Sequence, residues 1–283
     1  MSGRRGRARG MGDTLATYVI LTVVAMVFLA PLAWMFATSL KQESQVFDMS
    51  ALSFPNPVEW ENYGEAISVI PFMRYLFNTS LITGLTIVGT LLASSVAAYG
   101  FARLRFLGRN VLFIVAISTM MVPGIVPMIP RFAMYKYLQW VDTIKPLVVP
   151  FFFGVPFHVF LFRQFFLTLP RDLEDAAKID GASTFQIYWK IMLPLTKPAL
   201  ATVTIFTFMG TWNDFMGPWV YLKSQAKWTL SLGLASFQGQ QAFQTPWHLV
   251  MAASLLVLLP ALVIFFVAQK YFIRGIATGG IKG

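Results

Sequence analysis

The chain has 283 residues, of which 57% are hydrophobic and only 12% are charged. Soluble domains carry roughly 45–50% apolar and about 25% charged residues, so this composition excludes an ordinary soluble domain and a disordered chain. The absence of cysteine excludes disulfides and thiolate metal sites. A net charge of +10 would suggest nucleic-acid binding in a soluble protein. Here long uncharged runs separate the charges, which predicts a protein of the lipid bilayer with no nucleic-acid partner.

Six apolar runs reach or approach the ~20 residues that an α-helix needs to cross a bilayer. After a basic cytosolic N-terminus over residues 1–13, we predict one all-α transmembrane domain over residues 14–283. The first apolar run is too long for the h-region of a signal peptide, so it is predicted to be a retained membrane helix. The six helices are predicted at about residues 16–38, 75–101, 110–130, 143–166, 196–221 and 246–270.

Lysine and arginine are enriched in the cytosolic loops of membrane proteins. With the N-terminus in the cytosol, fifteen of the 22 Lys and Arg residues fall inside and seven fall outside. The seven outside are balanced by seven acidic residues, so the whole net charge lies on the cytosolic side. Both termini are therefore predicted to be cytosolic.

The second and third helices carry signals beyond hydrophobicity. Gly89, Ala93 and Ala97 recur every four residues, a spacing that favours close packing of membrane helices. The third helix contains Pro123-Gly124, followed by two further prolines, and its outer half is predicted to be irregular. Irregular backbone within a membrane either lines a water-filled pathway or forms a kink that is buried among other helices.

The longest cytosolic loop, residues 169–195, has a helical pattern. Asp172 suits the start of a short helix, and Gly181 suits its end because glycine adopts positive φ freely. Ser183 and Gln186 have the spacing of a capping box that starts a second helix, which we expect Pro194 to end. Two short amphipathic helices joined at a glycine are typical of a docking element.

The same loop contains a recognisable motif. Asp175-Ala176-Ala177, three residues, Gly181, nine residues and Ile191-x-Leu193-Pro194 resembles the EAA loop of ABC importer permeases. Asp175 stands where glutamate is usual, which keeps the charge on a shorter side chain, and Glu174 could partly substitute for it. Since the spacing agrees throughout, the resemblance is specific.

Other segments extend the resemblance over most of the chain. Residues 77–103 and 121–130 are similar to the second and third helices of carbohydrate-type permeases, and Trp212-Asn213-Asp214-Phe215 is similar to their W-N-[DE]-F segment. The tail, residues 275–283, resembles the C-terminus of the maltose- and glycerol-3-phosphate-type permeases.

The resemblance implies a permease subunit of an ATP-driven, binding-protein-dependent importer in a bacterial or archaeal cytoplasmic (inner) membrane, which forms half of the transmembrane pathway for a sugar or related polyol. The implied partners are a second permease subunit forming a heterodimer, a cytosolic ATPase dimer and an extracytoplasmic solute-binding protein. The EAA loop would be the coupling helix that docks on the ATPase. The implied coupling residues are Glu174, Asp175, Ala176, Ala177, Gly181, Ile191, Leu193 and Pro194.

A polar cluster in the fifth helix has two interpretations. Asn213 and Asp214 lie about 16 residues into the helix, near the outer part of the bilayer, where an ionisable group is by default a functional hypothesis. Together with Trp212 they could line a passage for sugar hydroxyls. The same residues would equally suit packing against neighbouring helices or the emergence of the helix into water.

Catalytic and metal-binding patterns are absent from the sequence. Without a phosphate-binding loop the chain is predicted to hold no cofactor and to hydrolyse no ATP. The resemblance implies that ATP and Mg²⁺ bind to the partner ATPase. His158 and His248 lie far apart in sequence without a carboxylate cluster, and no metal site is predicted. An importer subunit for another solute, such as a glycerol phosphodiester or a polyol, is an alternative. So is a secondary transporter, although the inverted repeat and buried charge relays typical of that class are not seen.

Overall fold

The computed structural model describes residues 11–47, 55–239 and 245–279, and within these ranges it contains helices and loops but no strand. Several short helices of one or two turns separate the longer helices. In chain order they are α1 (Met11–Ser39), α2 (Glu61–Val69), α3 (Phe72–Arg103), α4 (Arg109–Ser118), α5 (Met128–Tyr137), α6 (Lys145–Val148), α7 (Pro156–Thr168), α8 (Asp172–Ile179), α9 (Thr184–Ile187), α10 (Leu193–Leu195), α11 (Lys197–Trp212), α12 (Met216–Tyr221), α13 (Leu230–Gly239) and α14 (Trp247–Gly279).

The chain divides into two compact units, Met1–Ile70 with Phe237–Val257, and Pro71–Ser236 with Leu258–Gly283. In the first unit, hydrogen bonds fasten the short helix α2 to the end of α1. The Asn62 side chain donates to the main-chain oxygens of Ser39 and Lys41, each at 2.9 Å, and the hydroxyls of Ser39 and Tyr63 are 2.8 Å apart.

Helix α1 is apolar on all sides, and every residue from Gly12 to Trp34 is exposed. Val27 is 65% exposed and Phe28 is 78% exposed. A helix that is apolar all round is stable only in an apolar environment, so α1 requires lipid or another membrane protein around it.

In the second unit, α3 forms the centre and contacts both α7 and α11. Its buried face is lined with small and hydroxyl-bearing residues, which allow close approach and satisfy polar groups in a membrane interior. Gly89 lies against the ring of Phe152, and a Cβ atom at Gly89 would collide with that ring. Ser94 Oγ accepts a hydrogen bond of 3.1 Å from the Val155 N–H. The small-residue spacing thus marks a packing face, as predicted.

Four described helical stretches are long and apolar enough to cross a bilayer, namely Gly12–Ser39, Phe72–Arg103, Lys145–Thr168 and Trp247–Val267. A fifth crossing results if Thr184–Leu195 and Lys197–Trp212, which meet at 78°, form one bent span. The apolar helix Arg109–Met121 is shorter. The count of six spans stays a prediction.

The third and fifth predicted helices, residues 110–130 and 196–221, are each interrupted in the structure. The third ends in a 3-10 turn at Met121 and resumes at Met128, as the prolines and Gly124 predict. The fifth stops at Trp212 and resumes at Met216. At this second break, the Asp214 carboxylate accepts a hydrogen bond of 3.0 Å from the Gly217 N–H and so competes with the helical pattern.

A carboxylate also joins two loops of the second unit. Asp142 Oδ1 accepts hydrogen bonds from the N–H groups of Lys223 and Ser224 at 2.9 and 2.8 Å. Its Oδ2 accepts from the Ser224 hydroxyl at 2.6 Å and from Lys227 Nζ at 2.9 Å. These hydrogen bonds hold the pKa of the Asp142 carboxyl well below its usual range.

We expect Asp142→Ala to release the loop around Ser224 and to lower the free energy of unfolding by about 1–3 kcal/mol. Because the pKa of Asp142 is lowered in the folded state, its stabilisation is present above its unfolded pKa, ~3.9, and is lost as the pH falls towards the folded value. Thermal unfolding and limited proteolysis at neutral pH and below pH 4 measure both effects. Equal proteolysis of the Ser224 loop in wild type and variant at neutral pH would contradict this role.

Candidate functional site

The EAA-like segment, residues 169–195, folds into two short helical pieces joined at Gly181. The first piece is α8, and Gly181 follows it with φ +78°, a conformation that favours glycine. The second piece starts with the predicted capping box, in which the Ser183 and Gln186 side chains each bond to the other residue's N–H group. It continues through a π turn at Tyr188–Met192 and ends at Leu195, one residue beyond the predicted Pro194.

One side of the EAA-like segment is anchored in the core of the second unit. Ala177, Ile187 and Met192 are buried in a cluster with residues of α3, α7 and α11, and Ile191 and Leu193 pack against it from its edge. The Tyr188 hydroxyl lies 2.7 Å from Ser95 Oγ of α3. The segment is therefore part of the packed helical body rather than a free loop.

Glu174 faces this core and not the solvent. Its Oε1 lies 3.1 Å from Arg103 Nε, and the two side chains are only 9% and 3% exposed. Arg103 Nη2 also donates hydrogen bonds to the main-chain oxygen of Phe166 and, at 2.6 Å, to that of Leu169. One guanidinium thus joins the end of α3, the end of α7 and the first helix of the EAA-like segment.

The other side of the segment is exposed and partly apolar. Ile179 is 87% exposed and Phe185 is 68% exposed, and the Phe185 ring stacks on that of Trp189 with centroids 6.4 Å apart. Four of the predicted coupling residues lie on this side and are exposed, namely Asp175, Ala176, Gly181 and Pro194. Asp175 pairs with Lys178 at 3.2 Å on the surface.

Gly181 has open space around it. No atom of another part of the described chain lies within 4 Å of the position that a Cβ atom would take. Within this chain, glycine is required at position 181 by the backbone conformation and not by close packing. The empty volume beside Gly181 permits close approach by another molecule.

The three residues of the other predicted site are in different environments. Trp212 is buried and stacks on Phe208, with ring centroids 5.1 Å apart. Asn213 is exposed, and its side-chain amide donates to the Met209 main-chain oxygen at 2.9 Å. Asp214 is half-buried and lines two cavities.

The two cavities beside Asp214 differ in their lining. One, of about 250 Å³, is lined by His158 and by the hydroxyl-bearing residues Thr79, Thr207, Thr211 and Thr229. The other, of about 480 Å³, has Arg131 and Tyr135 among its lining residues. Both contain hydrogen-bonding groups of the kind that hydroxyl-rich solutes bind. Within the described ranges, no three His, Asp or Glu side chains are grouped as metal ligands.

Comparison with known proteins identifies the family of this chain. Residues 86–278 match the family described as the inner membrane component of binding-protein-dependent transport systems. The chain belongs to this family of importer permeases.

Individual permeases are similar over nearly the whole length. The arabinooligosaccharides transport system permease protein AraQ of Bacillus subtilis is 35% identical, covering 95% of this chain and 96% of AraQ. The sn-glycerol-3-phosphate transport system permease protein UgpE of Yersinia enterocolitica is 32% identical, covering 94% and 96% of the two chains. A chain of a bacterial ABC transporter involved in the import of the polysaccharide alginate superposes with a TM-score of 0.81 at 26% identity, covering 96% of this permease and 99% of that chain.

Sequence reasoning missed the role of Arg103 in this permease. Its position after an apolar run indicates only the cytosolic end of a helix. Its partner Glu174 lies 71 positions further on, beside three other acidic residues, and no local spacing distinguishes it from them. The same limit hid the partnership of Asp142 with Ser224.

The buried pair generates a stability prediction. Arg103→Met should lower the free energy of unfolding by about 3–5 kcal/mol, because it leaves the Glu174 carboxylate buried without a counter-charge. Adding Glu174→Met should recover part of that loss. Lys178→Met, which breaks the exposed pair with Asp175, is the matched control and should cost less than about 1 kcal/mol.

Denaturant unfolding in detergent of the wild type, Arg103→Met, Glu174→Met and the double variant forms a double-mutant cycle that measures the coupling of the pair, with Lys178→Met measured beside them. A coupling energy near zero between Arg103 and Glu174 would mean that the pair does not stabilise the fold.

Proposed function

We propose that this permease forms half of the transmembrane pathway of an ATP-driven importer for a sugar or related polyol, and that it couples to a cytosolic ATPase through the EAA-like segment. The observation that carries the proposal is the two-sided character of that segment. Its inner side is fixed to the helical core, while its outer side presents Ile179, Phe185 and Trp189. Exposed apolar surface of this kind is typical of a protein interaction site.

The chemistry of the outer side suits a docked protein. Aromatic residues contribute much of the binding energy of protein interfaces. Phe185 and Trp189 are stacked on each other and exposed, so a docked protein would bury both rings. Asp175 adds an exposed negative charge that a basic group of the ATPase would pair with. Gly181 leaves room for close backbone approach.

The remaining partners follow from the family. The family description names binding-protein-dependent transport, which supports an extracytoplasmic solute-binding protein as the substrate donor. A second, different permease subunit would complete the pathway, and an ATPase dimer would bind ATP and Mg²⁺. We infer six membrane spans with both termini in the cytosol, since this topology places the EAA-like segment on the side of the ATPase.

The substrate class rests on the relatives and on the chemistry of the cavities. Two of the relatives described above are named for saccharide import and one for sn-glycerol-3-phosphate. All three solutes are rich in hydroxyl groups, and the cavities beside Asp214 offer carboxylate, imidazole and hydroxyl partners. A phosphorylated polyol is the second candidate, favoured by the presence of Arg131 in the larger cavity.

Coupling can be derived from the contacts of the segment. ATP-driven closure of the ATPase dimer would displace the docked outer side. Because the inner side is packed on α3, α7 and α11, these helices must move with it. A packed interface changes between discrete arrangements, so the displacement would shift the population from inward-facing to outward-facing states.

Reversing the exposed charge tests the docking. Asp175→Lys should reduce ATPase stimulation by substrate-loaded binding protein in the assembled complex by roughly tenfold or more, because the lysine would face a basic group of the ATPase. Asp13→Lys, which makes the same charge change at an exposed position of α1 predicted to be cytosolic, is the control and should have no effect. Unchanged stimulation in Asp175→Lys, with the complex fully assembled, would exclude coupling through this residue.

A second prediction separates transport from packing at Asp214. Asp214→Ala should slow solute uptake by roughly tenfold while the complex assembles normally, because a hydrogen-bonding charge in the pathway is lost. Gly217→Ala should act in the same direction, since its Cβ would collide with Asp214 Oδ2. Asn213→Ala, at the exposed neighbouring position of the predicted passage that lines neither cavity, should have the smaller effect. Normal uptake by Asp214→Ala in reconstituted vesicles would mean that Asp214 serves packing alone.

A further inference from the structure

Three arginines, one of them in the EAA-like segment, converge on a cavity that is distinct from the two beside Asp214. Arg105, Arg109 and Arg171 line an open cavity of about 540 Å³, located where α3 ends and where α4 and α8 begin. Its other lining residues are Asn110, Gly108 and the apolar residues Phe106, Leu107 and Val111, so no carboxylate lines it. The cavity is a concentrated positive site.

These arginines have no counter-charge within the described part of the chain. None of the three forms an ion pair there, whereas the adjacent Arg103 is neutralised by Glu174. Arg109 uses Nη1 to donate to the Leu104 main-chain oxygen at 3.1 Å. The guanidinium groups of Arg105 and Arg171 have no hydrogen-bond partner among the described residues. Three like charges held together in this way favour an anionic ligand.

The surroundings of the cavity are apolar. Leu107 is 100% exposed, and Val111 is 65% exposed at the first turn of α4. The next turn of α4 presents further exposed apolar residues, Ile114 and Val115. A soluble anion would gain nothing from this surface, whereas an amphiphile with a charged head and apolar tails matches both parts.

We propose that this cavity binds the phosphodiester headgroup of an anionic phospholipid of the cytosolic leaflet, with the acyl chains along α4. The inference rests on the topology given with the proposed function, in which the connection between α3 and α4 is cytosolic. Arginine binds phosphate oxygens bidentately, and basic pockets at the cytosolic ends of membrane helices recognise anionic headgroups. An acidic protein surface would satisfy the arginines but would leave Leu107 and Val111 unexplained.

The cavity has a direct structural connection to the EAA-like segment. Arg171 immediately precedes α8, and Glu174, in the first turn of α8, is paired with Arg103 at the end of α3. A bound lipid would therefore hold the start of α8 to the membrane surface beside the anchored side of the segment.

Native mass spectrometry of the purified full-length chain tests the proposal, with mixtures of phosphatidylglycerol and phosphatidylcholine as the probe. Wild type should retain phosphatidylglycerol in preference to phosphatidylcholine. Each arginine replaced by glutamine should weaken that retention by about fivefold, and the triple variant Arg105→Gln/Arg109→Gln/Arg171→Gln by about 100-fold.

The matched control is the triple variant Lys136→Gln/Lys145→Gln/Lys223→Gln, which removes the same charge from exposed positions predicted to lie on the other side of the membrane. It should keep the preference of the wild type. Thermal unfolding of each variant verifies that the fold is intact.

Three results would overturn the proposal. The arginine variant could retain phosphatidylglycerol like the wild type. Inorganic phosphate, added at the concentration of the lipid, could displace it completely, which would identify soluble phosphate as the ligand. The arginine variant could keep its lipid preference and, in a separate pull-down with the ATPase, lose its binding to that partner, which would assign the arginines to a protein interface. Because the lipid measurements use the isolated chain, they are independent of the coupling and uptake experiments.

Discussion

The buried contact of Arg103 with Glu174 is the constraint on which the arrangement of the EAA-like segment depends. A carboxylate and a guanidinium that are almost completely covered must remain together, because separating them would leave a charge in a medium that solvates it poorly. The same guanidinium is bonded to the last turn of α7. The segment is thereby tied by charge to α3 and α7, two of the three helices against which it packs, and its position is defined at its first turn.

This constraint gives the two acidic residues of the motif different roles. Glu174 and Asp175 are neighbours in sequence, yet on a helix neighbouring side chains point about 100° apart, and only one of them faces the core. Glu174 organises the permease internally, while Asp175 is left on the outside with the exposed aromatic residues. The resemblance to the EAA loop marks both positions as coupling residues and does not distinguish an internal contact from an external one.

Local features of the fold were predictable from the sequence, and contacts between distant residues were not. The capping box of Ser183 and Gln186, the stop at Gly181 and the break near Pro123 each follow from the conformational preferences of a few adjacent residues. The break after Trp212 was not predicted, since it involves a carboxylate bonded to the backbone within an otherwise apolar run. The partners of Arg103 and Asp142 depend on how helices meet in space, which periodicity does not encode.

The 78° bend between the EAA-like segment and α11 has a mechanical consequence. The two helical pieces are joined almost at a right angle. A push along the axis of the EAA-like segment therefore moves the joined end of α11 sideways, across the axis of α11. A membrane helix that is moved sideways at one end tilts, and tilting leaves its polar ends at the aqueous boundaries. A push along its own axis would instead draw one end into hydrocarbon. With the topology proposed above, the angle at Thr196 would allow a small cytosolic stroke to be converted into tilt of α11.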